Sequence, residues 1–271
     1  MGKKKILTLI LIFLIVIIIT YAFSSIKTEA PIIYSLPIIE ETNTDIIKNG
    51  MVTVPQTEKI LIDDTLKYKI IDRSIVAPID KTNKKSIVLL TIDDGPSTRT
   101  KEILDILDKH NAKAIFFING MHDKNNMDVI EETYKRGFAV GNHTWSHINL
   151  KKEKDTKIIE KEINKNTDLI TSITGTHPLF FRAPYGESNP FIRDLIKKDG
   201  MIFMDWSGAA QDWNKSTIEK DIFVNNVMNT VHTGSIILIH EHPWSVANLD
   251  GLLTALEEKG YTYVDPKNII E

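Results

Sequence analysis

The sequence contains no cysteine in its 271 residues. This absence excludes structural disulfides, thiolate zinc sites, cysteine nucleophiles and a lipidated N-terminal cysteine. Any metal ion must therefore be held by histidine, aspartate or glutamate. The chain also lacks a basic excess, because its formal net charge is -3. No basic surface for nucleic acid is indicated, and we set nucleic-acid binding aside.

One long apolar run is present, and it lies close to the N-terminus. The residues "MGKKK" precede residues 6–23, which carry no charge and are nearly long enough to cross a bilayer as a helix. The positive-inside rule keeps the lysines in the cytoplasm and places the rest of the chain outside. We therefore expect residues 1–23 to be a single-pass anchor in the cell membrane. A cleaved signal peptide, which would make the protein secreted, is the alternative.

The next segment, residues 24–85, is polar and contains Pro31, Pro37, Pro55 and Pro78. It shows only short extended pieces such as "KYKIID". This composition predicts an extracytoplasmic stalk, with room for one or two strands packed on the following domain.

From Ser86 to the C-terminus the pattern predicts an α/β domain, residues 86–271, because short apolar runs alternate with amphipathic stretches. The predicted strands are "SIVLLTI", "AIFFI", "FAVGN", "LFFR", "MIFMD", "SIILIH" and "YTYVD". The predicted helices are "TRTKEILDILDKH", "MDVIEETYKRG", "DTKIIEKEINKNTDLITSI", "NPFIRDLIKKDG", "TIEKDIFVNNVMNTV" and "NLDGLLTALEEKG". Continuously apolar strands suit a parallel sheet covered on both faces, either closed as a barrel or open.

Polar side chains stand where these strands end. The carboxyl ends of parallel strands gather on one side of such a fold, which is where active sites form. We therefore expect one rim to carry Asp93, Asp94, His143, His147, Arg182, Asp205, Asp212 and His240.

The sharpest motif is "HTWSH", which spaces His143 and His147 four residues apart. On a helical turn both imidazoles would face the same side and bind one ion. With a carboxylate they would form the open two-histidine, one-carboxylate site of catalytic zinc and some iron enzymes. An isolated pair at this spacing is more often an ordinary surface pair, but this one follows a strand, and another strand supplies the two aspartates.

Five short motifs, in this order, resemble those of the polysaccharide deacetylases of carbohydrate esterase family 4, which share the NodB homology domain. They are "TIDDG" from Thr91, "HTWSH" from His143, "RAPYG" from Arg182, "DWSGAAQDW" from Asp205 and "LIH" from Leu238. The resemblance extends from Ser86 to about Asp265. It implies a distorted (β/α) barrel of seven or eight parallel strands.

The resemblance also implies a role for each motif residue. Asp93 would be the general base, held by Arg182, and His240 the general acid, tethered by Asp212. The metal ligands would be Asp94, His143 and His147, with Zn²⁺ as the expected ion and Co²⁺ or Ni²⁺ as possible substitutes. The backbone N–H of Tyr185 would help to form an oxyanion hole, and Leu238 and Trp213 would bind the acetyl methyl group.

Two departures from the family pattern affect the fourth and fifth motifs. Ala209 stands where an aspartate is usual, so Asp205 competes with Asp212 for the role of orienting His240. "EHP" follows His240 where another acidic residue is often found, and His242 is expected at most at the rim.

These features predict a metal-dependent hydrolase that removes N-acetyl groups from N-acetylglucosamine of peptidoglycan and releases acetate. Chitin-like oligomers or another acetylated polysaccharide are alternative substrates. A non-catalytic wall-binding protein and a phosphoesterase are rival functions. The expected partners are the acetylated polymer and the membrane, and we expect a monomer.

Overall fold

The computed structural model describes residues 66–121, 127–214 and 219–270, which belong to one compact unit. The predicted anchor and residues 24–65 of the predicted stalk lie outside these ranges and stay predictions. No helix within the described ranges has both the length and the apolar character that crossing a bilayer requires.

The described residues form ten strands and six α-helices. The strands are β1 Tyr68–Ile71, β2 Ile75–Pro78, β3 Ile87–Gly95, β4 Ala114–Ile118, β5 Ala139–Asn142, β6 Phe180–Phe181, β7 Ile202–Phe203, β8 Gly208–Ala209, β9 Ser235–His240 and β10 Thr262–Tyr263. The helices are α1 Thr100–Lys109, α2 Asp128–Lys135, α3 Thr156–Thr174, α4 Pro190–Lys198, α5 Lys220–Met228 and α6 Pro243–Glu258. Short 3₁₀ helices lie at Pro184–Gly186 and Pro266–Asn268.

The strands join in one sheet whose main path runs β1-β2-β9-β3-β4-β5-β6-β7, with β8 beside β9 and β10 beside β3. Strands β3 to β10 pair in parallel, while β1 pairs with β2, and β2 with β9, in antiparallel fashion. The result is a barrel-like α/β fold. The predicted α/β class is confirmed.

All seven predicted strands are found, but the sequence did not reveal β8. This strand is the pair Gly208–Ala209, which has no apolar run to mark it. The hairpin formed by β1 and β2 lies in the segment interpreted as a stalk, and it joins the same sheet through β9.

The alternation of side chains along β3 decides which face of the sheet carries the chemistry. Val88, Leu90 and Ile92 pack into the core cluster that includes residues of α1 and α6. The intervening Ile87 and Leu89 belong to a second cluster on the other face. Because successive strand residues alternate between faces, Thr91 and Asp93 follow Ile87 and Leu89 onto that second face.

Gly234 is the point where the hairpin meets β9. Its carbonyl accepts a hydrogen bond from the Val76 N–H at 2.9 Å, and its own N–H donates to the Ile87 carbonyl at 2.7 Å. Its φ of 91° is left-handed, and a Cβ at this position would lie 2.6 Å from the Val76 carbonyl oxygen. Only glycine therefore fits here without displacing the hairpin.

We predict that Gly234→Ala destabilises the fold more than Gly200→Ala does. Both glycines are left-handed, with φ of 91° and 74°, but a Cβ at Gly200 meets nothing within 4 Å. Both substitutions should incur the left-handed penalty of about 1–2 kcal/mol, and Gly234→Ala should lose about 1–3 kcal/mol more through overpacking. Urea unfolding of both variants measures this difference. Equal losses would show that the hairpin is not held at this point.

Candidate active site

Two neighbouring aspartates reach one cleft because the strand is irregular between them. Adjacent residues of a regular strand point to opposite faces. The register of β3 against β4 shifts between Asp93 and Gly95, and Asp94 has a left-handed φ of 66°. Both carboxylates consequently line the same cleft.

This cleft has a volume of about 520 Å³ and lies at the carboxyl ends of the parallel strands. It brings together residues from all five motifs. Its lining consists of Asp93, Asp94, His143, His147, Ala183, Tyr185, Gly186, Trp206, Trp213, Leu238, His240 and His242.

Three of the lining residues form a group that fits a metal ion. One ligand atom each from Asp94, His143 and His147 lies within 4.8 Å of the others. Asp94 Oδ1 is 3.6 Å from His143 Nε2 and 3.3 Å from His147 Nε2. Two imidazole nitrogens and one carboxylate oxygen are the donor set of a catalytic zinc site.

The orientation of His143 supports this fit. Its Nδ1 donates a hydrogen bond to the Arg182 carbonyl at 2.7 Å, since a carbonyl can only accept. In the neutral imidazole the proton is then on Nδ1, and the lone pair of Nε2 faces the carboxylates. A backbone carbonyl that fixes the tautomer in this way is the usual outer contact of a metal-bound histidine.

The prediction that a helical turn aligns the two histidines is wrong. Residues 143–147 form an irregular loop after β5. Thr144 and His147 adopt left-handed φ values of 69° and 57°, which no helix contains. The imidazoles approach each other through these loop conformations, with ring centroids 5.1 Å apart.

Arg182 is fully buried and binds Asp93. Its Nη1 donates to Asp93 Oδ1 at 2.8 Å and to the Thr91 hydroxyl at 2.7 Å. Its Nη2 donates to the Asp205 carbonyl at 2.9 Å, and its guanidinium lies 4.4 Å from the centroid of the Phe117 ring. Asp93 Oδ2 is left facing His143 Nε2 at 3.6 Å.

Asp212, and not Asp205, is the carboxylate that contacts His240. Asp212 Oδ1 accepts from His240 Nδ1 at 2.7 Å. Its Oδ2 accepts from the His240 backbone N–H at 2.7 Å and from the Ser245 hydroxyl at 2.6 Å. Asp205 instead pairs with Arg73 of the hairpin, Oδ2 to Nε 3.2 Å.

Electrostatics favour the charged forms of both members of this pair. Burial opposes the cation of His240, but the hydrogen bond and charge of Asp212 outweigh it and raise the pKa of His240 above its ordinary value. Burial likewise opposes the Asp212 anion, yet the hydrogen bonds from His240 and Ser245 lower the pKa of Asp212. Both shifts favour the pair of imidazolium and carboxylate over the neutral forms.

The three remaining predicted residues also border the cleft. Tyr185 is left-handed, with φ 62°, and its ring centroid lies 4.9 Å from that of His147. Leu238 is buried beneath the cleft. Trp213 is 53% exposed and places its ring edge-on to His240, with centroids 5.8 Å apart.

Sequence reasoning underestimated three residues. Trp206 and His242 line the cleft, and His242 is stacked between His240 and Trp244 with centroid distances of 5.7 Å and 4.6 Å. Glu241 is buried behind the aspartates, where the Thr100 hydroxyl donates to its Oε2 at 2.6 Å, and burial raises the pKa of Glu241. The signal for Glu241 and His242 was their position one and two residues after the motif histidine His240.

Known proteins resemble the domain that carries this cleft. A family model described as polysaccharide deacetylase matches residues 80–204. The chain is 34% identical over 189 residues to the peptidoglycan-N-acetylglucosamine deacetylase PgdA of Listeria monocytogenes (serotype 1/2a, strain 10403S), covering 69% of this chain and 39% of that protein. It is 31% identical over 242 residues to the peptidoglycan-N-acetylmuramic acid deacetylase PdaC of Bacillus subtilis (strain 168), covering 88% and 50%.

Solved structures agree with the sequence relatives. The Bc1960 peptidoglycan N-acetylglucosamine deacetylase, solved with a hydroxamate bound, superposes with a TM-score of 0.62 at 33% identity. That alignment covers 67% of this chain and 86% of the solved chain. The chain nevertheless spans only 39% and 50% of the length of the two curated relatives named above.

We predict that Asp212→Asn lowers the pKa of His240, because burial is then no longer offset by the carboxylate. Asp205→Asn is the matched control, since Asp205 pairs with Arg73. An NMR pH titration of the His240 ring measures both. In the wild type the His240 cation stabilises the folded state. This contribution is fully present below the ordinary histidine pKa of 6.5 and is lost as pH rises through the raised pKa of His240. A larger effect from Asp205→Asn would contradict the assignment.

Proposed function

The chain belongs to the polysaccharide deacetylase family, and we propose that it hydrolyses the N-acetyl groups of N-acetylglucosamine residues in peptidoglycan, releasing acetate. The proposal is carried by two pairs at one cleft, the buried Arg182 with Asp93 and the partly buried His240 with Asp212. The strand register places the proposed base and acid side by side, because Asp93 of β3 is paired directly with His240 of β9. A base and an acid within one cleft are what amide hydrolysis requires.

Asp93 is proposed as the general base. One of its carboxylate oxygens, Oδ1, accepts a hydrogen bond from Arg182 Nη1 at 2.8 Å. The other oxygen, Oδ2, faces His143 of the three-ligand group. It would accept a proton from the attacking water. Arg182 would fix the direction of that oxygen and would itself exchange no proton.

His240 is proposed as the general acid. Because Nδ1 donates to Asp212, the transferable proton of the cationic ring is on Nε2. That proton would pass to the departing amine nitrogen as the carbon–nitrogen bond breaks. The raised pKa of His240 extends the cationic form to higher pH than in an ordinary histidine.

The group of Asp94, His143 and His147 would hold a divalent ion, for which we propose Zn²⁺, with Co²⁺ and Ni²⁺ as substitutes. Such an ion lowers the pKa of water and polarises an acyl oxygen. We propose that the Tyr185 backbone N–H stabilises the oxyanion. Leu238 and Trp213 would contact the acetyl methyl group.

Other substrates and functions remain alternatives with distinct outcomes. The name of the Bacillus subtilis relative specifies N-acetylmuramic acid, and chitin-like oligomers carry the same acetamido group. A purely wall-binding protein would need neither the proposed general base, Asp93 with Arg182, nor the proposed general acid, His240 with Asp212. A phosphoesterase usually adds further cationic donors, whereas the five motifs contribute Arg182 as their one arginine or lysine.

We predict zinc-dependent acetate release from peptidoglycan by the full chain. Metal-stripped protein should be inactive and recover with Zn²⁺. Asp93→Asn should lose about 10²- to 10⁴-fold in kcat, as expected for removal of a general base. His143→Ala should lose both zinc and activity.

The controls separate the alternatives. Glu160→Ala, at an exposed position of α3, should retain wild-type activity. Chitin oligomers and generic phosphate esters are assayed in parallel, and product analysis identifies the sugar that loses its acetyl group. A folded, zinc-loaded chain that releases no acetate from any polymer would refute the deacetylase proposal.

We also propose that residues 6–23 anchor the chain in the cell membrane with the cleft outside, because they are uncharged and follow three lysines. Cell fractionation should find the chain in the membrane fraction, extractable only by detergent. Recovery of a shortened chain from the medium would instead show cleavage and secretion.

A further inference from the structure

The loop that carries the two histidine ligands is conformationally costly. Thr144 and His147 both have left-handed backbones, with φ 69° and 57°. This conformation is unfavourable for residues other than glycine, and especially for a β-branched residue such as threonine. It persists only where surrounding contacts over-determine it. The contacts that hold this loop therefore also hold the spacing of the metal ligands.

One of those contacts is a carboxylate on α3 that binds the middle of the loop. Glu162 Oε2 accepts from the Ser146 N–H at 2.7 Å, and Oε1 accepts from the Ser146 hydroxyl at 2.7 Å. The backbone carbonyl of Glu162 accepts from the Trp145 N–H at 2.9 Å. A single helix residue thus binds three donors between the two ligands.

The neighbouring turns of α3 fix the beginning of the same loop. Asn142 Oδ1 accepts from the Thr144 N–H at 2.8 Å. Asn142 Nδ2 in turn donates to the Ile163 carbonyl and to the Thr167 hydroxyl, each at 2.9 Å. Asn142 is thereby fixed by α3, while Glu162 controls the part of the loop that leads to His147.

The loop is also held from the end of β4 and by a second contact from α3. The Met121 N–H donates to the Trp145 carbonyl at 2.8 Å. The Lys165 ammonium lies 3.6 Å from the centroid of the Trp145 ring. A Cβ on Gly120 would lie 2.3 Å from that ring. The loop is clamped between the end of β4 and α3.

We infer that Glu162 is a positioning residue for the metal site: it holds Ser146 so that His143 and His147 converge with Asp94. Glu162 acts through Ser146 and belongs to no motif of the sequence. This inference rests on the metal site of the proposed function and not on the identity of the substrate. Removing partners that orient metal ligands typically weakens metal binding by about 10- to 100-fold.

The test measures Zn²⁺ affinity directly, by competition between the metal-stripped full chain and a chromophoric chelator. Glu162→Ala should raise the Kd for Zn²⁺ by about 10- to 100-fold. Glu162→Gln keeps one acceptor oxygen and should lose less. Glu160→Ala, on the exposed face of the same helix, should bind Zn²⁺ like wild type.

Ser146→Ala supplies the second half of the test and serves if Glu162→Ala fails to fold. It should weaken Zn²⁺ binding less than Glu162→Ala and add no further loss in the Glu162→Ala background, because both act through one contact. Thermal unfolding of each metal-free variant measures the structural contribution separately. Variants with a lowered Tm but unchanged Zn²⁺ Kd would overturn the inference. Absence of acetate release alongside these affinities would refute only the deacetylase proposal.

Discussion

The buried guanidinium of Arg182 is the interaction on which the rest of the site depends. Taking a charged group out of water is unfavourable unless it is paired and hydrogen-bonded. Arg182 finds its compensation in the Asp93 carboxylate, the Thr91 hydroxyl and the Asp205 carbonyl. Its own carbonyl accepts from His143 Nδ1. The same residue therefore fixes the proposed base with its side chain and a proposed metal ligand with its backbone.

The parallel sheet makes this arrangement possible. Register pairs Thr91 with Leu238 and Asp93 with His240 on neighbouring strands β3 and β9. Since side chains alternate along both strands, these four residues share one face, and the apolar residues between them pack toward the helices. A slip of one residue in either strand would send the base or the acid into the core. The apolar runs of β3 and β9 thus set the register on which the chemistry relies.

Most of the fold, and the gathering of polar motif residues at one cleft, follow from local sequence signals. Apolar runs of four or more residues located β3, β4 and β9, and polar residues directly after strands marked the cleft. Other features depend on contacts between distant segments. In the sequence only the resemblance favoured Asp212 over Asp205. The contact of Asp212 with His240, and that of Asp205 with Arg73 of the hairpin, decide between them. Glu162 was hidden because it lies within an ordinary amphipathic helix, and β8 because two small residues carry no periodicity.

Backbone strain at the cleft is a further feature that sequence patterns do not reveal. Left-handed φ values occur at Asp94, Thr144, His147, Tyr185 and Gln211, all within or beside the motifs. Each costs folding energy and must be held by neighbouring contacts. Glu241 shows how tight such support is, because its Oε1 leaves no room for a Cβ on Gly95, the residue after Asp94. Stability at this edge of the sheet is therefore lower than ideal geometry would allow, and the buried polar contacts behind the cleft keep the strained residues in place.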